Sequence, residues 1–498
     1  SGGKGGGPKP KGGAARALGA LAATLLLIGV GCTKVGPDYA PPERPLPDAT
    51  AIPDAWHTQA VEGLEDGQSH LQQWWASLED PMLDSLIERA YDQNLDIRLA
   101  VARIQEARAL YGVATGDRLP VIDANGAAGM SRTNEAGLSV DIEPDTLAVL
   151  DVGVDARWEI DVFGRIARNI ESAAASYQAT VESYRDVLVS LFSEVALAYI
   201  DVRSLQDRIR FAQSNIQAQE NSLQLTRDRF AAGLTSRLDV AQAESNLADT
   251  QARIPQLRQQ LEFAYNRLAV LLAQPPGTLS AELAAPGAIP DPPVQITRGI
   301  PADLLRQRPD IRQAERILAA QTAQIGVATA DLYPTFSLTG AFTFGLASGD
   351  GNTTGFGWNI LPGFRWNLFD RERIRNRIRA TEAVTEQALV AYEQTVLGAL
   401  EDVEDAMVAY ANEQERRARL FEAVDASQRA VDLVRTQYLS GLTNFQNVLD
   451  SQRTLFQLQD QLATSEGIVV QNLVLLYRAL GGGWEIPDLV TAGDDTPR

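Results

Sequence analysis

Cysteine, histidine and methionine are nearly absent: one, two and three copies in 498 residues. A transition-metal site needs a cluster of thiolate or imidazole ligands, and a covalent nucleophile needs a base beside it. Cys32 stands alone, and both histidines, His57 and His70, fall in one N-terminal stretch, so neither chemistry has material. The chain is therefore expected to be no enzyme and to bind no metal or other cofactor. Basic residues are the minority too, 44 against 64 acidic, for a formal charge of −20. A surface of that sign repels a phosphate backbone, which excludes nucleic acid as a partner. Proline is missing throughout 165–233 and 371–441, yet crowds 37–53 and 275–301.

Residues 1–31 carry Lys4, Lys9, Lys11 and Arg16, then an apolar run at 17–30, and no acidic side chain. That order is an export signal, and the run is too short for a membrane span. Removing it takes away four positive charges and moves the net from −20 to −24. Cys32 follows at once. A lone cysteine has no internal disulfide partner; its expected use is as a lipid-modified first residue bearing diacylglycerol and an N-acyl chain. The alternative is a buried free thiol. Gly29 stands where a lipoprotein signal usually has leucine, and Thr33, not aspartate, follows the cysteine, which favours the outer membrane over the inner one. The sequence opens on Ser1 and not on Met, so its start is expected to be incomplete.

The rest of the chain is written twice. Asp96-Ile97-Arg98, Gly112-Val113-Ala114-Thr115, Asp117 and Pro120 recur 214 residues later as Asp310-Ile311-Arg312, Gly326-Val327-Ala328-Thr329, Asp331 and Pro334. Trp158, Arg165, Ile166 and Gly233-Leu234-Thr235 recur at a shift of 208, as Trp366, Arg373, Ile374 and Gly441-Leu442-Thr443. A duplicated unit of this size suits a ring, a tube or a pore. The boundaries read as a signal at 1–31, a Pro-rich tether at 32–79, a first repeat at 80–273, a linker at 274–300, a second repeat at 301–484 and a disordered tail at 485–498.

Helices dominate both repeats. Asp80 before Pro81 marks a helix start. From Val181 through Tyr184, Leu188, Leu191 and Val195 to Phe230, seam positions step by three and four without interruption, apolar except at Gln219 and Thr226, a coiled-coil seam of 3.5-residue period. The proline-free stretches predict helices at about 165–232 and 371–440, each on the order of 100 Å long. Partner helices are expected at about 236–273 and 444–480, and shorter ones at 95–117 and 309–331. Each long helix then folds back at a Gly-Leu-Thr tip, and Pro255 is expected to break the 236–273 helix. A cytoskeletal or adaptor coiled coil would be the reading if this were all.

Four stretches of period two decide otherwise, at about 120–131, 150–163, 334–346 and 356–369. In the third, Phe336, Leu338, Phe342 and Phe344 oppose Thr335, Ser337, Thr339 and Thr343; in the second, Val152, Val154, Trp158 and Ile160 oppose Asp151, Asp155, Arg157 and Glu159. One apolar face, one charged face and terminal aromatics are what a transmembrane barrel needs, whereas a soluble sandwich seldom opposes its core with so charged a face. Four strands cannot close, and an open edge in lipid leaves backbone groups unpaired at several kcal/mol each. Copies must share one barrel. Two copies would make about eight strands with a filled interior, and three make about twelve, the smallest closed option with room for a conduit.

Several segments resemble one family. They are Cys32-Thr33-Lys34-Val35-Gly36-Pro37-Asp38-Tyr39, Trp74-Trp75 with Asp80-Pro81, Ala232-Gly233-Leu234-Thr235-Ser236-Arg237-Leu238-Asp239-Val240, Arg308-Pro309-Asp310-Ile311-Arg312, and Ala479-Leu480-Gly481-Gly482-Gly483-Trp484. Together they resemble the outer membrane factors, the TolC-like exit ducts, and among them the lipoprotein branch similar to OprM and NodT. The resemblance implies an α+β membrane protein: a homotrimer with one shared twelve-stranded β-barrel in outer membrane lipid, continuous with a twelve-helix periplasmic tunnel. It implies an exit channel of a tripartite efflux system of the resistance–nodulation–division type, passively conducting small molecules such as drugs. The partners would be a periplasmic adaptor (membrane fusion) protein and an inner-membrane pump. A type I secretion duct and a lipid-anchored structural coiled coil are the alternatives. Loops 131–149 and 347–355 would be extracellular.

The same resemblance assigns roles. Gly233, Leu234, Thr235, Gly441, Leu442 and Thr443 would meet the adaptor, although Gly also serves the turn itself. Gln446, Asp450 and Arg453 would form the periplasmic gate, with three Asp450 carboxylates around the axis; the plainer account of Asp450 and Arg453 is an intrahelical pair. Arg371, Arg373, Arg375, Arg377 and Arg379 are either solvated helix surface or a contact for anionic headgroups.

Overall fold

The computed structural model describes residues 34–42, 55–57, 64–65, 71–132, 146–293, 296–297, 301, 304–348 and 353–485. Cys32, the export signal, most of the two expected extracellular loops and the tail beyond Glu485 lie outside the described residues. In chain order the main elements are α1 (Pro81–Gln93), α2 (Leu95–Gly116), β1 (Val121–Arg132), β2 (Thr146–Ile160), α3 (Arg165–Ala231), α4 (Arg237–Leu271), α5 (Pro309–Ala330), β3 (Thr335–Ser348), β4 (Thr353–Arg365), α6 (Arg371–Leu439) and α7 (Phe445–Ala479). They group into two compact units. One holds Ser1–Pro41, Ala107–Tyr177 and Arg316–Leu389; the other holds Pro42–Glu106, Gln178–Glu315 and Val390–Arg498. Among the described residues no helix is long and apolar enough to cross a membrane.

The first unit contains a four-stranded antiparallel sheet of order β1-β2-β3-β4. Its register lines the apolar residues up across strands. Val154 sits opposite Phe342 and Phe342 opposite Trp358; Val152 sits opposite Phe344 and Phe344 opposite Phe356. Cross-strand pairs of this kind stabilise a sheet by contact between neighbours on one face. Yet this face is uncovered: Phe356 is 73% exposed and Trp358 69%. The opposite face carries Asp123, Asp151, Asp155, Arg157 and Glu159, and Asn125 donates to Asp155 there. β1 and β4 each have a neighbour on one side only.

Strand ends differ from the expected 150–163 and 356–369. Alternation reports which face a residue takes, and it can run on past the last backbone pair. Asp161 turns instead to cap α3, accepting from the backbone N–H of Ile166 at 3.1 Å and of Ala167 at 2.7 Å. Trp366 leaves β4 and donates its indole N–H to the Leu332 carbonyl at 3.0 Å; Trp158 does the same to Arg118 at 2.9 Å. The duplication is thus visible in single hydrogen bonds.

Residues 35–39 of the stretch read as an extended tether are docked. Arg168, 1% exposed, donates to the carbonyls of Val35 and Gly36, both at 3.1 Å, to Asp38 at 2.7 Å and to Glu171 at 2.9 Å. Gly36, at φ +85°, abuts the backbone of Gly326 so closely that a Cβ on it would collide. Tyr39 packs against Ala175, Ala319 and Ala320. Proline content marked an extended segment, but extended chain can be docked as well as loose.

The second unit is built on the helical seam. Leu188, Phe192, Val195, Tyr199 and Val202 of α3 share a core with Val396 and Val403 of α6 and Leu473 and Tyr477 of α7. Trp74 stacks on Tyr477 with ring centroids 5.3 Å apart, and Trp75 packs on Phe192 at 5.0 Å. The glycines after α7 make room for this: a Cβ on Gly482 would lie 3.1 Å from Trp74. Trp484 then tucks between Arg185 and Arg312, whose guanidinium carbons lie 4.7 and 5.1 Å from its ring centre, while Glu182 binds both arginines at 2.7 Å.

Asp80 caps α1, accepting from Met82 and Leu83, and its other oxygen accepts from the Tyr199 hydroxyl at 2.6 Å. Tyr199 in turn accepts from Arg203, which donates to Gln206 and to the Ala285 carbonyl. Burial, with the Asp80 hydrogen bond, pushes the Tyr199 hydroxyl up to about 12, so it stays protonated and can donate. This network also anchors the expected linker, since Gln206 donates to the Leu283 carbonyl at 2.6 Å and both Leu279 and Leu283 are buried. Pro255 does not break its helix. α4 is continuous past it, with Ile254 and Leu257 buried on either side. Proline costs about 3 kcal/mol inside a helix, a penalty that flanking apolar burial of about 1.5–3 kcal/mol per side chain offsets.

Candidate functional site

The two hairpin tips and the residues Gln446, Asp450 and Arg453, to which the sequence reading gives roles, all lie in the second unit. α3 ends in a left-handed turn at Gly233, φ +74°: Gly233 donates to Phe230 at 2.9 Å and Leu234 to Arg229 at 2.8 Å. α6 ends identically at Gly441, φ +73°, with Gly441 donating to Tyr438 at 3.1 Å and Leu442 to Gln437 at 2.9 Å. These paired bonds satisfy carbonyls that a helix end would leave free, and only glycine enters that conformation without strain.

The return helices start differently. Ser236 caps α4 in a reciprocal box, accepting from the Asp239 N–H while Asp239 accepts from the Ser236 N–H. The Thr235 hydroxyl also bonds the Asp239 carboxylate. Asn444 caps α7 alone, and the Thr443 hydroxyl accepts from Asn447 at 2.7 Å. Between the hairpins, Arg229 lies 4.7 Å from the Tyr438 ring centre and donates to the Leu439 carbonyl at 3.3 Å, a cation at the negative end of α6. At the apex Leu234 is 66% exposed and Leu442 79%. A turn that meets only water has no use for leucine at that position twice over.

Within the first three turns of α7, Gln446 donates to Asp450 Oδ1 at 2.9 Å and the Arg453 guanidinium stands 3.9 Å from the same oxygen. The three residues are thus adjacent, on the exposed face of one helix. Arg453 has a second partner that the sequence reading missed: its Nε donates to Asn246 Oδ1 on α4 at 2.8 Å. Asn246 is buried with its amide nitrogen unpartnered, as is the Gln452 side-chain oxygen nearby in the chain. The signal was there. Ala243, Asn246, Thr250, Ile254 and Leu257 keep seam spacing, so a polar residue at 246 stands where an apolar one belongs. Higher up, Arg208 binds Asp460 through two nitrogens at 2.8 and 3.3 Å, joining α3 to α7.

Among the described residues no three His, Cys, Asp or Glu side chains are grouped to hold a metal. Around Asp186 a cavity of about 610 Å³ is lined by Asp310, Asp402, Asp405, Arg308 and Arg478. Arg308 donates there to Asp310 at 2.8 Å, to Asp402 at 3.0 Å and to the Ala479 carbonyl at 2.8 Å. The cavity gathers four carboxylates and two guanidinium groups, and Arg308 pairs with two of the carboxylates.

The arrangement was compared with known proteins. The profile of a family described as outer membrane efflux protein matches residues 86–274 and 300–482, one segment in each repeat. Nodulation protein T of Rhizobium leguminosarum bv. trifolii is 32% identical over 93% of this chain and 96% of its own length. The probable outer membrane lipoprotein SilC of Salmonella typhimurium is 29% identical over 93% of this chain and 98% of its own. The solved outer-membrane channel OprN superimposes with a TM-score of 0.83 at 37% identity, covering 91% of this chain and 99% of that one.

Proposed function

Because this chain belongs to the outer membrane efflux protein family and is an outer-membrane efflux channel component, we propose that three copies share one closed barrel of about twelve strands. The observation that carries this is the sheet: four strands, an exposed apolar face, and two edges with no neighbour among the described residues. Lipid tolerates the apolar face and does not tolerate the edges. Pairing β4 of one copy with β1 of the next satisfies both, and the charged face of Asp123, Asp151, Asp155 and Arg157 then lines a wet interior.

On the same reading the long coiled coils of α3 and α6, each roughly 100 Å, wall a periplasmic tunnel continuous with the barrel. Small molecules pass through it without energy input from this protein. An inner-membrane pump of the resistance–nodulation–division type drives them, and a periplasmic adaptor seats on the tips, where Leu234 and Leu442 offer apolar contact. Cys32 carries the lipid anchor, in keeping with a relative named as a lipoprotein. Gln446, Asp450 and Arg453 form the periplasmic gate, Arg453 tying α7 to α4 through Asn246 within each copy. Three carboxylates facing one axis repel unless hydrated or paired, so a small movement of α7 changes the opening strongly.

Purified full-length protein in planar bilayers tests both levels. Discrete channels of uniform conductance are expected, and Asp450→Ala raises open probability or conductance severalfold. Channels with no response to the substitution would retire the gate and leave the duct standing; no channel under any condition would remove the duct.

A further inference from the structure

The first turns of α6 carry a charge pattern that helix physics disfavours. Arg371, Arg373, Arg375, Arg377 and Arg379 open the helix, and its first turn holds a single acidic residue, Glu372. The N-terminal end of a helix is partly positive and favours carboxylates. The counterpart helix α3 also starts on arginines but neutralises them internally. Arg165 is gripped by both oxygens of Glu159 at 2.9 and 2.8 Å, and Arg168 is buried among Asp38, Glu171 and two carbonyls.

In α6 the neutralisation is incomplete. Arg373 meets Asp370 at 2.6 Å and Arg377 meets Asp331 at 3.3 Å, while Arg375 and Arg379 share Glu372 at 3.8 Å each. Among the described residues Arg371 makes no ion pair. Five cations therefore face three carboxylates, all exposed or half-buried, in a chain of formal charge −20. Immediately before them stand Phe364, Trp366 and Leu368, all exposed, and Phe369, exposed at 101%.

An apolar, aromatic lip followed by a run of guanidinium groups that three carboxylates only partly answer is the composition of a lipid–water boundary. The rings suit the acyl and headgroup layers, and arginine binds phosphate through two nitrogens. We propose that the segment 364–379 is a binding surface for anionic phospholipid. Leu368 and Phe369 enter the acyl layer. Arg371, Arg375 and Arg379, spaced by four on one face of α6, hold headgroup phosphates, while Arg373 and Arg377 stay engaged with Asp370 and Asp331. The surface is independent of conduction and of the gate.

The test uses the full-length protein, stripped of lipid in detergent and exchanged into nanodiscs of phosphatidylcholine with phosphatidylglycerol as the minor component. After re-extraction, the lipids retained per chain are measured by mass spectrometry. Phosphatidylglycerol is expected to be enriched roughly tenfold or more over its share of the disc, since each arginine near an anionic surface multiplies binding about fivefold. The triple variant Arg371→Gln/Arg375→Gln/Arg379→Gln brings retention close to the disc composition, and the lysine triple at the same positions restores most of the enrichment. Millimolar inorganic phosphate leaves the enrichment in place. The proposal is overturned if the glutamine triple retains as much phosphatidylglycerol as the parent. It also fails if phosphate alone strips the lipid, which would mean a free-anion site, or if the glutamine triple only alters the oligomer, which would assign the surface to an adjoining copy.

Discussion

Burial, more than any neighbouring charge, governs Asp186. Its carboxyl is pushed up from the ordinary aspartate value first by desolvation and then by the Asp310 carboxylate, with Arg308 and Arg478 pulling it back only in part. A carboxyl whose pKa is higher folded than unfolded binds more protons in the folded state, so stability falls as pH rises through that window and is regained below it. Asp186→Asn removes the charged form. The account predicts a higher melting temperature for the variant at neutral pH, with the gain shrinking as the pH is lowered through the folded pKa of the parent. A constant difference at all pH values would contradict it. At this scale, what could be read from sequence was local. Asp80 before Pro81 spelled a helix cap because both partners lie within three residues. The Asp80–Tyr199 bond spans 119 residues and Arg168–Asp38 spans 130, and no spacing rule reaches that far. The grouping of Gln446, Asp450 and Arg453 came from the family resemblance, and the tie of Arg453 to Asn246 on α4 needed the packed hairpin.

Elements were legible where a single period ran uninterrupted. The seam of α3 fixes its length because every third or fourth residue must face the same partner, and Gly233 and Gly441 punctuate it. Extent was less legible where pairing, not periodicity, sets the end, as at Ile160 and Arg365. Context also overrode proline twice, at Pro255 inside α4 and in the docked segment around Gly36. The tips give a direct test of the turn argument. A Cβ on Gly441 would meet nothing within 4 Å, so only the backbone objects to a side chain there. Gly441→Ala is expected to cost about 1–2 kcal/mol locally. Hydrogen exchange should accelerate in the turns flanking 441, with the core of the second unit unchanged and Gly441→Asn milder. Unaltered exchange at the tip would show that the turn is not held by glycine.

For the whole molecule, the duplication carries more than any motif. Two repeats contribute two strands each to one sheet, and among the described residues that sheet has four strands, a bare apolar face and two unpaired edges. Net charge and the scarcity of cysteine and histidine shaped the expectations before any element was placed. The proposed number of copies rests on closure geometry, and the contacts between copies are not legible, because the chain encodes the edges and not the register across them. The account stands on one claim: identical neighbours complete the cylinder that one chain begins. Native mass spectrometry of the full-length, detergent-extracted protein measures it. A single dominant species of three chains, dissociating only with loss of the sheet signal in circular dichroism, is the predicted result; a detergent-independent monomer that keeps its sheet would contradict it.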